Sequence, residues 1–183
     1  MSWRVLAICG APGAGKSTLC AALAARLGAR RVEFDAHERM THRGPEAIRD
    51  WLERGAPVAE VEAPGFTAAI RAARAQGPVL VEAPLGRAWP PAAPLIDRAV
   101  WIDCPADLAL ARKLGAIAAR ARGDAGFADW ARAFLEHYGD FVRPVLELQA
   151  RRVRPLCDLV VEGTAPVERI ADEVLRRLGP AAA

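Results

Sequence analysis

The sequence predicts an α/β fold in which a five-stranded parallel sheet is covered by helices on both faces, a three-layer sandwich. Short apolar runs recur along the chain, and segments long enough for helices separate them. The runs are continuous rather than alternating, which is typical of strands buried on both faces. Parallel neighbours need crossover connections, and helices of ten or more residues supply them. At 183 residues, the chain has the length of a single domain.

Five apolar runs are the predicted strands: residues 5–9, 31–34, 78–82, 99–103 and 159–161. Between the first two, Leu19, Leu23 and Leu27 recur every four positions, which predicts a helix over 16–27 that Gly28 ends. The last helix is predicted where an apolar stripe runs over 167–178 before Gly179-Pro180.

Two regions are predicted to move over a ligand. Residues 36–77 contain two short helical patterns separated by glycines and prolines, and we expect a helical insert there that covers the substrate. In residues 112–126, Gly115, Gly123 and Gly126 are expected to break the chain as a closing lid requires. An aromatic stripe follows at helical spacing and is predicted to be core: Phe127, Trp130, Phe134, Tyr138 and Phe141.

The segment Gly10–Ser17 fits the phosphate-binding pattern G-x-x-x-x-G-K-[ST] completely. It follows an apolar strand directly and opens an amphipathic helix, so backbone N–H groups and the positive end of the helix can hold phosphate. Lys16 is expected to reach the β- and γ-phosphates, and the Ser17 hydroxyl to ligate Mg²⁺. The context predicts a P-loop NTPase fold with ATP and Mg²⁺ as cofactors. The predicted nucleotide-binding residues are Gly10, Ala11, Pro12, Gly13, Ala14, Gly15, Lys16, Ser17 and Thr18.

Two carboxylates are predicted at the same edge of the sheet. Asp35 follows the second strand and could accept or orient the proton of an acceptor hydroxyl, or cap the following turn. Glu82 ends the third strand in the position of a Walker-B acid, where it could hold Mg²⁺ through water. The alternative for Glu82 is a strand-end carboxylate at a turn.

Cationic side chains near the lid are candidates for stabilising the transferred phosphoryl group. Lys113 and Arg120 are seven positions apart and share a helix face, and Arg112 and Arg122 adjoin them. A solvated basic face is the equally weighted alternative. For the acceptor, we expect His37 and Arg87 to join Asp35 as substrate-binding residues.

Other classes of protein are disfavoured by the sequence. It contains neither an N-K-x-D segment that would read guanine nor an L-S-G-G-Q-like signature, which argues against a GTPase and an ABC-type ATPase. A net charge of +3 is too small to indicate nucleic acid, and no apolar run approaches the ~20 residues of a membrane span. We therefore expect a cytoplasmic protein with a small-molecule substrate, without nucleic acid or membrane partners, as a monomer or homodimer.

These residues resemble the P-loop small-molecule kinases of the nucleoside and nucleoside-monophosphate kinase group, and are most similar to the uridine kinase-like branch. The resemblance extends over Gly10–Ser17, Phe34-Asp35, residues 79–82, the lid region 112–122 and residues 138–158. It implies that Asp35 is the catalytic carboxylate and Glu82 the acid near Mg²⁺. The implied lid arginines are Arg112, Arg120 or Arg122. The insert after Asp35 is shorter than in uridine kinases and closer in length to that of shikimate and gluconate kinases.

The expected activity is ATP-dependent transfer of the γ-phosphoryl group to a hydroxyl of a small metabolite, a nucleoside or sugar-like acceptor. The alternative is a regulatory ATPase or nucleotide-dependent switch that acts through a protein partner. An exposed tryptophan near the insert, Trp51 or Trp89, would favour that alternative.

Overall fold

The computed structural model describes residues 2–40, 43–121, 126–179 and 181. At its centre is one parallel sheet whose strands are Val5–Cys9 (β1), Arg30–Glu33 (β2), Val79–Glu82 (β3), Arg98–Asp103 (β4) and Leu159–Glu162 (β5). The strand order is β2-β3-β1-β4-β5, and each neighbouring pair is parallel. This confirms the predicted fold class.

Helices connect the strands and cover the sheet. In the described residues they are Lys16–Leu27 (α1), Pro45–Glu53 (α2), Phe66–Arg74 (α3), Ala106–Arg120 (α4), Gly126–Glu136 (α5), Arg143–Val153 (α6) and Val167–Leu178 (α7). Short 3₁₀ turns lie between several of them, and a π-helical turn over Tyr138–Val142 joins α5 to α6.

Two apolar layers hold the sheet between the helices. On one face, Leu6 and Ile8 of β1 pack with residues of α1 and α7 such as Leu23 and Val174. On the other face, Val5, Ala7 and Cys9 pack with α2, α3 and the end of α6. The alternation along β1 follows from the two-residue period of a strand, so one continuous apolar run supplies both layers.

The central strand positions the candidate site. Because β1 lies between β3 and β4, the chain goes to one side of β1 for β2 and β3 and to the other side for β4 and β5. The crevice at such a switch point, outside the carboxyl ends of the strands, is where ligands bind in open α/β sheets. The loop Gly10–Gly15 leaves β1 at this point.

The predicted second strand ends one residue too late. In the structure, β2 ends at Glu33, because residues Phe34–Ala36 form a 3₁₀ turn in which Phe34 is buried against Phe66 and Trp89. Asp35 therefore lies in this turn rather than at the strand end.

The insert over 36–77 belongs in part to the core. Phe66 and Ile70 of α3 are fully buried, and Trp51 of α2 is 7% exposed with its indole N–H donating to the Pro57 carbonyl oxygen. Two apolar residues per turn on one face suffice to dock a short helix on the sheet. The insert is thus part of the helical layer that packs on the sheet, as well as a candidate cover for the substrate.

Two expectations for the region after β4 are wrong. Gly115 does not break the chain, since α4 continues through it to Arg120; Gly123 lies outside the described residues. The aromatic stripe is not core: no residue of α5 is buried, and Trp130 is 38% exposed. Its rings stack on one another instead, with Trp130 and Phe134 5.2 Å apart and nearly parallel.

In the part of the chain that the structure describes, no helix is both long and apolar enough to cross a membrane.

Candidate nucleotide and acceptor site

The loop after β1 has a backbone that only glycines adopt readily. Gly10, Gly13 and Gly15 have φ values of +147°, +86° and +104°, a region that side chains with a Cβ rarely enter. A tight turn closes the loop, in which the Ala14 N–H donates to the Ala11 carbonyl oxygen at 3.0 Å. Gly15 then leads directly into the first residue of α1. This curl of N–H groups at a helix N-terminus suits an anion.

Lys16 is the loop's own cation. It is 8% exposed, and its Nζ donates to the Ala11 carbonyl oxygen at 3.1 Å, so the side chain folds back over the loop. Burial lowers the pKa of Lys16, while the carboxylates of Glu82 and Asp35 act in the opposite direction. The three predicted charges, Lys16, Asp35 and Glu82, are therefore close enough to influence one another electrostatically.

Ser17 and Glu82 form the candidate metal site. The Ser17 hydroxyl donates to Oε1 of Glu82 at 2.9 Å, and Glu82 is half-buried at the end of β3 beside β1. A hydroxyl and a carboxylate at this separation present the oxygen ligands that Mg²⁺ prefers. Magnesium keeps several waters and takes phosphate oxygens, so two protein oxygens beside a phosphate loop are sufficient. The residues present thus fit this ion.

Asp35 is exposed at the same edge of the sheet, and a cavity opens beside it. The cavity measures about 480 Å³ and is lined by the residues that follow Asp35 and by the far end of the insert: Ala36, His37, Glu38, Arg39 and Pro64. His37 is fixed by the insert, since its Nδ1 lies 3.3 Å from the Pro64 carbonyl oxygen and its ring contacts Phe66.

α4 packs directly on the phosphate loop. A Cβ built on Gly13 would lie 2.0 Å from the Ala109 carbonyl oxygen and 3.2 Å from the backbone nitrogen of Lys113. No side chain larger than hydrogen fits at Gly13, because two backbones meet there. The side chain of Lys113 is half-buried, and its Nζ lies 4.9 Å from the centre of the Phe134 ring on α5.

Of the predicted lid arginines, the two that the structure describes, Arg112 and Arg120, are not gathered at the loop. Arg112 is directed toward β5, where its Nη1 donates to the Gly163 carbonyl oxygen at 2.8 Å. Arg120 is exposed at the end of α4, about 10 Å along the helix axis from Lys113. Arg122 lies outside the described residues. Helical spacing assigns Lys113 and Arg120 to one face, but it does not indicate which cationic side chain the loop contacts.

The expectation that Arg87 lies at the acceptor site is corrected by the structure. Its guanidinium donates to the carbonyl oxygens of Asp97 at 2.7 Å and Leu156 at 3.0 Å, and it pairs with Asp158 at 2.9 Å. These partners precede β4 and β5, at the amino ends of the strands. The loop that carries Arg87 starts at the carboxyl edge of the sheet, but the long side chain reaches back to the amino edge. The position of Arg87 in the sequence does not indicate this direction.

Gln149 is a residue of this region that reasoning from the sequence misses. It is buried on α6, and its amide nitrogen donates to the carbonyl oxygens of Pro84 at 2.7 Å and Gly10 at 3.4 Å. It therefore connects the start of the phosphate loop to the exit of β3. The sequence offers one signal for this residue: Gln149 is four positions from both Val145 and Val153, so a helix places a polar side chain on their apolar face. A polar group buried there needs hydrogen-bond partners.

Comparison with known proteins identifies the family of this chain. A family described as "AAA domain" matches residues 5–134, which is more than half of the chain and includes the loop, Asp35, Glu82 and α4. The chain belongs to this AAA-domain family. Its P-loop domain is thus shown by sequence as well as by fold. No curated protein matches the chain in sequence.

Solved structures share the fold of this AAA-domain protein at low identity. One is an unliganded sugar kinase from Janibacter sp. HTCC2649, 17% identical, with 99% of each chain covered and a TM-score of 0.55. Another is a gluconokinase from Sinorhizobium meliloti 1021, 20% identical, with 97% of this chain and 93% of that chain covered and a TM-score of 0.52. At these identities the likeness establishes the architecture alone.

Proposed function

We propose that the protein is a small-molecule kinase that transfers the γ-phosphoryl group of ATP to a hydroxyl of a small metabolite. The observation that carries this proposal is the cavity of about 480 Å³ that is lined by the residues directly following Asp35 and by Pro64. Its size suits a small metabolite. ATP hydrolysis alone would need no acceptor cavity beside the carboxylate.

Each residue has a role in the proposed transfer. The loop from Gly10 to Thr18 holds the phosphates through its N–H groups, and Lys16 neutralises the β- and γ-phosphate charge. Ser17 and Glu82 would hold Mg²⁺, which would supply positive charge to offset that of the phosphates. Asp35 orients the acceptor hydroxyl and takes its proton while the acceptor oxygen bonds to phosphorus and ADP departs.

The acceptor proposed is a polyhydroxy compound, a nucleoside or sugar-like molecule, held beside His37 under the insert 36–77. The fold is shared with a sugar kinase and a gluconokinase, which is consistent with a hydroxylated acceptor. The resemblance to uridine kinases supports the nucleoside member of this class. We further propose that the chain works as a single P-loop kinase domain.

The alternative, a regulatory ATPase that acts through a protein partner, has less support. Neither tryptophan that would have favoured it is exposed: Trp51 is 7% and Trp89 is 5% exposed, and both lie in the core.

The experiment is ADP release from Mg·ATP across nucleosides, nucleoside monophosphates, sugars, sugar acids and shikimate, for the native protein and Asp35→Asn. We expect one compound class to stimulate release strongly and Asp35→Asn to remove that stimulation while ATP still binds. Slow hydrolysis that no compound stimulates and Asp35→Asn leaves unchanged would contradict the proposal and favour the partner-dependent ATPase.

A further inference from the structure

We propose that Arg152 is a positioning residue for the phosphoryl transfer, which acts through residues 55–64 of the insert to fix the wall of the acceptor cavity relative to the phosphate loop. This role rests on the proposed function and deepens it with a residue that acts from outside the site. Arg152 lies on α6, and none of the site residues that the sequence indicates lies on that helix.

The turn that follows α2 has a strained backbone. Gly55 and Ala56 have φ values of +81° and +49°, and Ala56 is the one residue other than glycine with a positive φ in the described part of the chain. This backbone is unfavourable for alanine, because its Cβ crowds the following carbonyl oxygen. Such residues persist where the surrounding structure holds them, and they cluster at functional sites. Ala56 is fully buried, so its surroundings can hold it closely.

The Arg152 guanidinium holds this turn through two carbonyl oxygens. Its Nη2 donates to the Gly55 carbonyl oxygen at 2.6 Å, and its Nη1 donates to the Ala56 carbonyl oxygen. Hydrogen bonds from a charged donor are stronger than those from a neutral one. Because a planar guanidinium presents its donors in a rigid fork, it fixes both carbonyl groups relative to each other. Arg152 therefore stabilises the left-handed turn directly.

From this turn, the insert follows a path that two buried tryptophans hold. The Trp51 indole N–H donates to the Pro57 carbonyl oxygen at 3.1 Å. Further along, the Trp89 indole N–H donates to the Val61 carbonyl oxygen at 2.9 Å. Each indole N–H is thus bonded to the backbone of the insert, and residues 57–61 cannot shift without breaking a buried hydrogen bond.

The far end of the segment 55–64 forms part of the cavity wall. The Glu62 carbonyl oxygen accepts the backbone N–H of Arg39 at 3.0 Å. The Pro64 carbonyl oxygen lies 3.3 Å from Nδ1 of His37. His37, Arg39 and Pro64 all line the cavity. A displacement that starts at the turn after α2 would therefore move both the segment and the residues that face it across the cavity.

The helix that carries Arg152 is also bonded to the phosphate loop. Gln149 is three positions earlier, which places it next to Arg152 on the helix surface. Its buried amide nitrogen donates to the carbonyl oxygens of Pro84 and Gly10. α6 thus connects the first residue of the phosphate loop to the turn after α2. It also holds, at Pro84, the start of the loop that carries Trp89.

This connection matters because the transfer depends on alignment. The acceptor hydroxyl must lie in line with the bond that breaks, and a misplacement of about 1 Å can cost about 10²-fold in rate. The nucleotide is held by the phosphate loop itself, whereas the acceptor is held by the insert. We therefore expect loss of Arg152 to impair use of the acceptor and to leave nucleotide binding intact.

The first test measures KM and kcat for the acceptor that stimulates ADP release best, and Mg·ADP affinity by calorimetry. We expect Arg152→Met to raise the acceptor KM about tenfold or more, with an unchanged Mg·ADP affinity. Arg152→Lys, which keeps the charge but not the fork, should restore only part of the loss. Arg151→Met, an exposed position on the same helix, should change neither quantity.

The variant Ala56→Gly tests whether the turn is the point of action. Glycine adopts a positive φ readily, so the turn should depend less on the guanidinium. In the Ala56→Gly background we expect Arg152→Met to raise the acceptor KM only about threefold or less. An unchanged KM in folded Arg152→Met, or an equal rise in both backgrounds, would overturn the proposal. Arg152→Lys takes the place of the methionine variant if that variant does not fold.

Amide hydrogen exchange tests the same role without an acceptor. We expect Arg152→Met to speed exchange about tenfold or more at the amides of Val61 and Arg39, and to change the amides of β1 much less. Unchanged exchange at Val61 and Arg39 would overturn the proposal. Equal acceleration in β1 would do the same, because it would reflect a general loss of stability. If no compound is phosphorylated, the proposed function fails, while the exchange rates still decide whether Arg152 holds the insert.

Discussion

The Ser17 hydroxyl donates a 2.9 Å hydrogen bond to the Glu82 carboxylate, although the two residues are 65 positions apart in the chain. The contact follows from topology. Ser17 lies in the first turn of the helix that follows β1, and Glu82 ends β3, whose register pairs it with Ile8 of β1. Adjacent parallel strands bring their carboxyl ends to one edge, so the two oxygens meet there.

Replacing Glu82 with glutamine should weaken the response to magnesium. The amide removes the charge that holds Mg²⁺ or its waters, so we expect about 10- to 100-fold more Mg²⁺ for half-maximal ADP formation. The measurement is an Mg²⁺ titration at fixed ATP. Glu33→Gln is the matched control, because Glu33 ends the neighbouring strand in register with Glu82 but pairs with Arg31. An equal effect in both variants would argue against a metal-holding role for Glu82.

Replacing Gly13 with alanine should destabilise the protein more than a left-handed backbone alone explains. Alanine at a positive φ costs about 1–2 kcal/mol, and at Gly13 its Cβ would also lie 2.0 Å from the Ala109 carbonyl oxygen. Gly28→Ala is the control, since Gly28 has φ +62° and a Cβ there would have open space around it. Denaturant unfolding without nucleotide should show a clearly larger loss for Gly13→Ala. Equal losses would refute the close packing of α4 on the loop.

The parts of the fold that the sequence predicts are those set by local pattern. The run Val5–Cys9, the loop to Ser17 and the helix to Leu27 are defined by apolar period, glycines and a stop signal, and the structure has them at the predicted bounds. Glu82 is predictable because a residue that ends a buried strand must lie at the ligand edge. These inferences need no knowledge of distant contacts.

The errors arise where tertiary context decides. The spacing of Phe127, Trp130 and Phe134 defines a helix face but does not show what covers that face. An exposed stripe of aromatic rings therefore has the same sequence pattern as a buried one. The backbone position of Arg87 indicates the acceptor site, whereas its long side chain reaches the opposite edge of the sheet. Propensity favours a break at Gly115, but a single glycine costs a helix only about 1 kcal/mol, and α4 continues through it.

Because of Cys20, the free energy of unfolding should change with pH in the alkaline range. Burial raises the pKa of Cys20 from the ordinary 9.0 to about 12, with a further contribution from the Glu82 carboxylate. The folded protein thus retains a proton that the unfolded chain loses above pH 9. The free energy of unfolding should therefore fall, by about 1.4 kcal/mol per pH unit from this group.

The measurement is denaturant unfolding between pH 9 and pH 11, within the interval bounded by those two pKa values. Buried Lys16, whose pKa is lowered, acts in the opposite direction: where the folded form has lost a proton that the unfolded chain keeps, the free energy of unfolding rises with pH. The comparison is therefore made against Cys20→Ala, which keeps Lys16. The variant should lose stability less steeply than the native protein. Parallel slopes would contradict the raised pKa of Cys20.

Arg87→Met should destabilise the fold without affecting acceptor recognition. The guanidinium binds the carbonyl oxygens before β4 and β5 and pairs with Asp158, and losing hydrogen bonds of a charged group costs about 1.5–3 kcal/mol. We expect a lower unfolding midpoint and an unchanged KM for the acceptor. Arg71→Met, an exposed position on α3, should change neither. A raised KM in a stable Arg87→Met protein would restore Arg87 to the acceptor site.

The most direct test of the proposed phosphoryl transfer follows the phosphoryl group itself. ATP labelled at the γ-phosphorus is incubated with Mg²⁺, the native protein and the compound that stimulates ADP release best, and the labelled products are separated. We expect label in a phosphorylated acceptor, with transfer reduced about 10²- to 10⁴-fold in Asp35→Asn while ATP affinity is retained. Label found only in inorganic phosphate, at the same rate in both proteins, would contradict it.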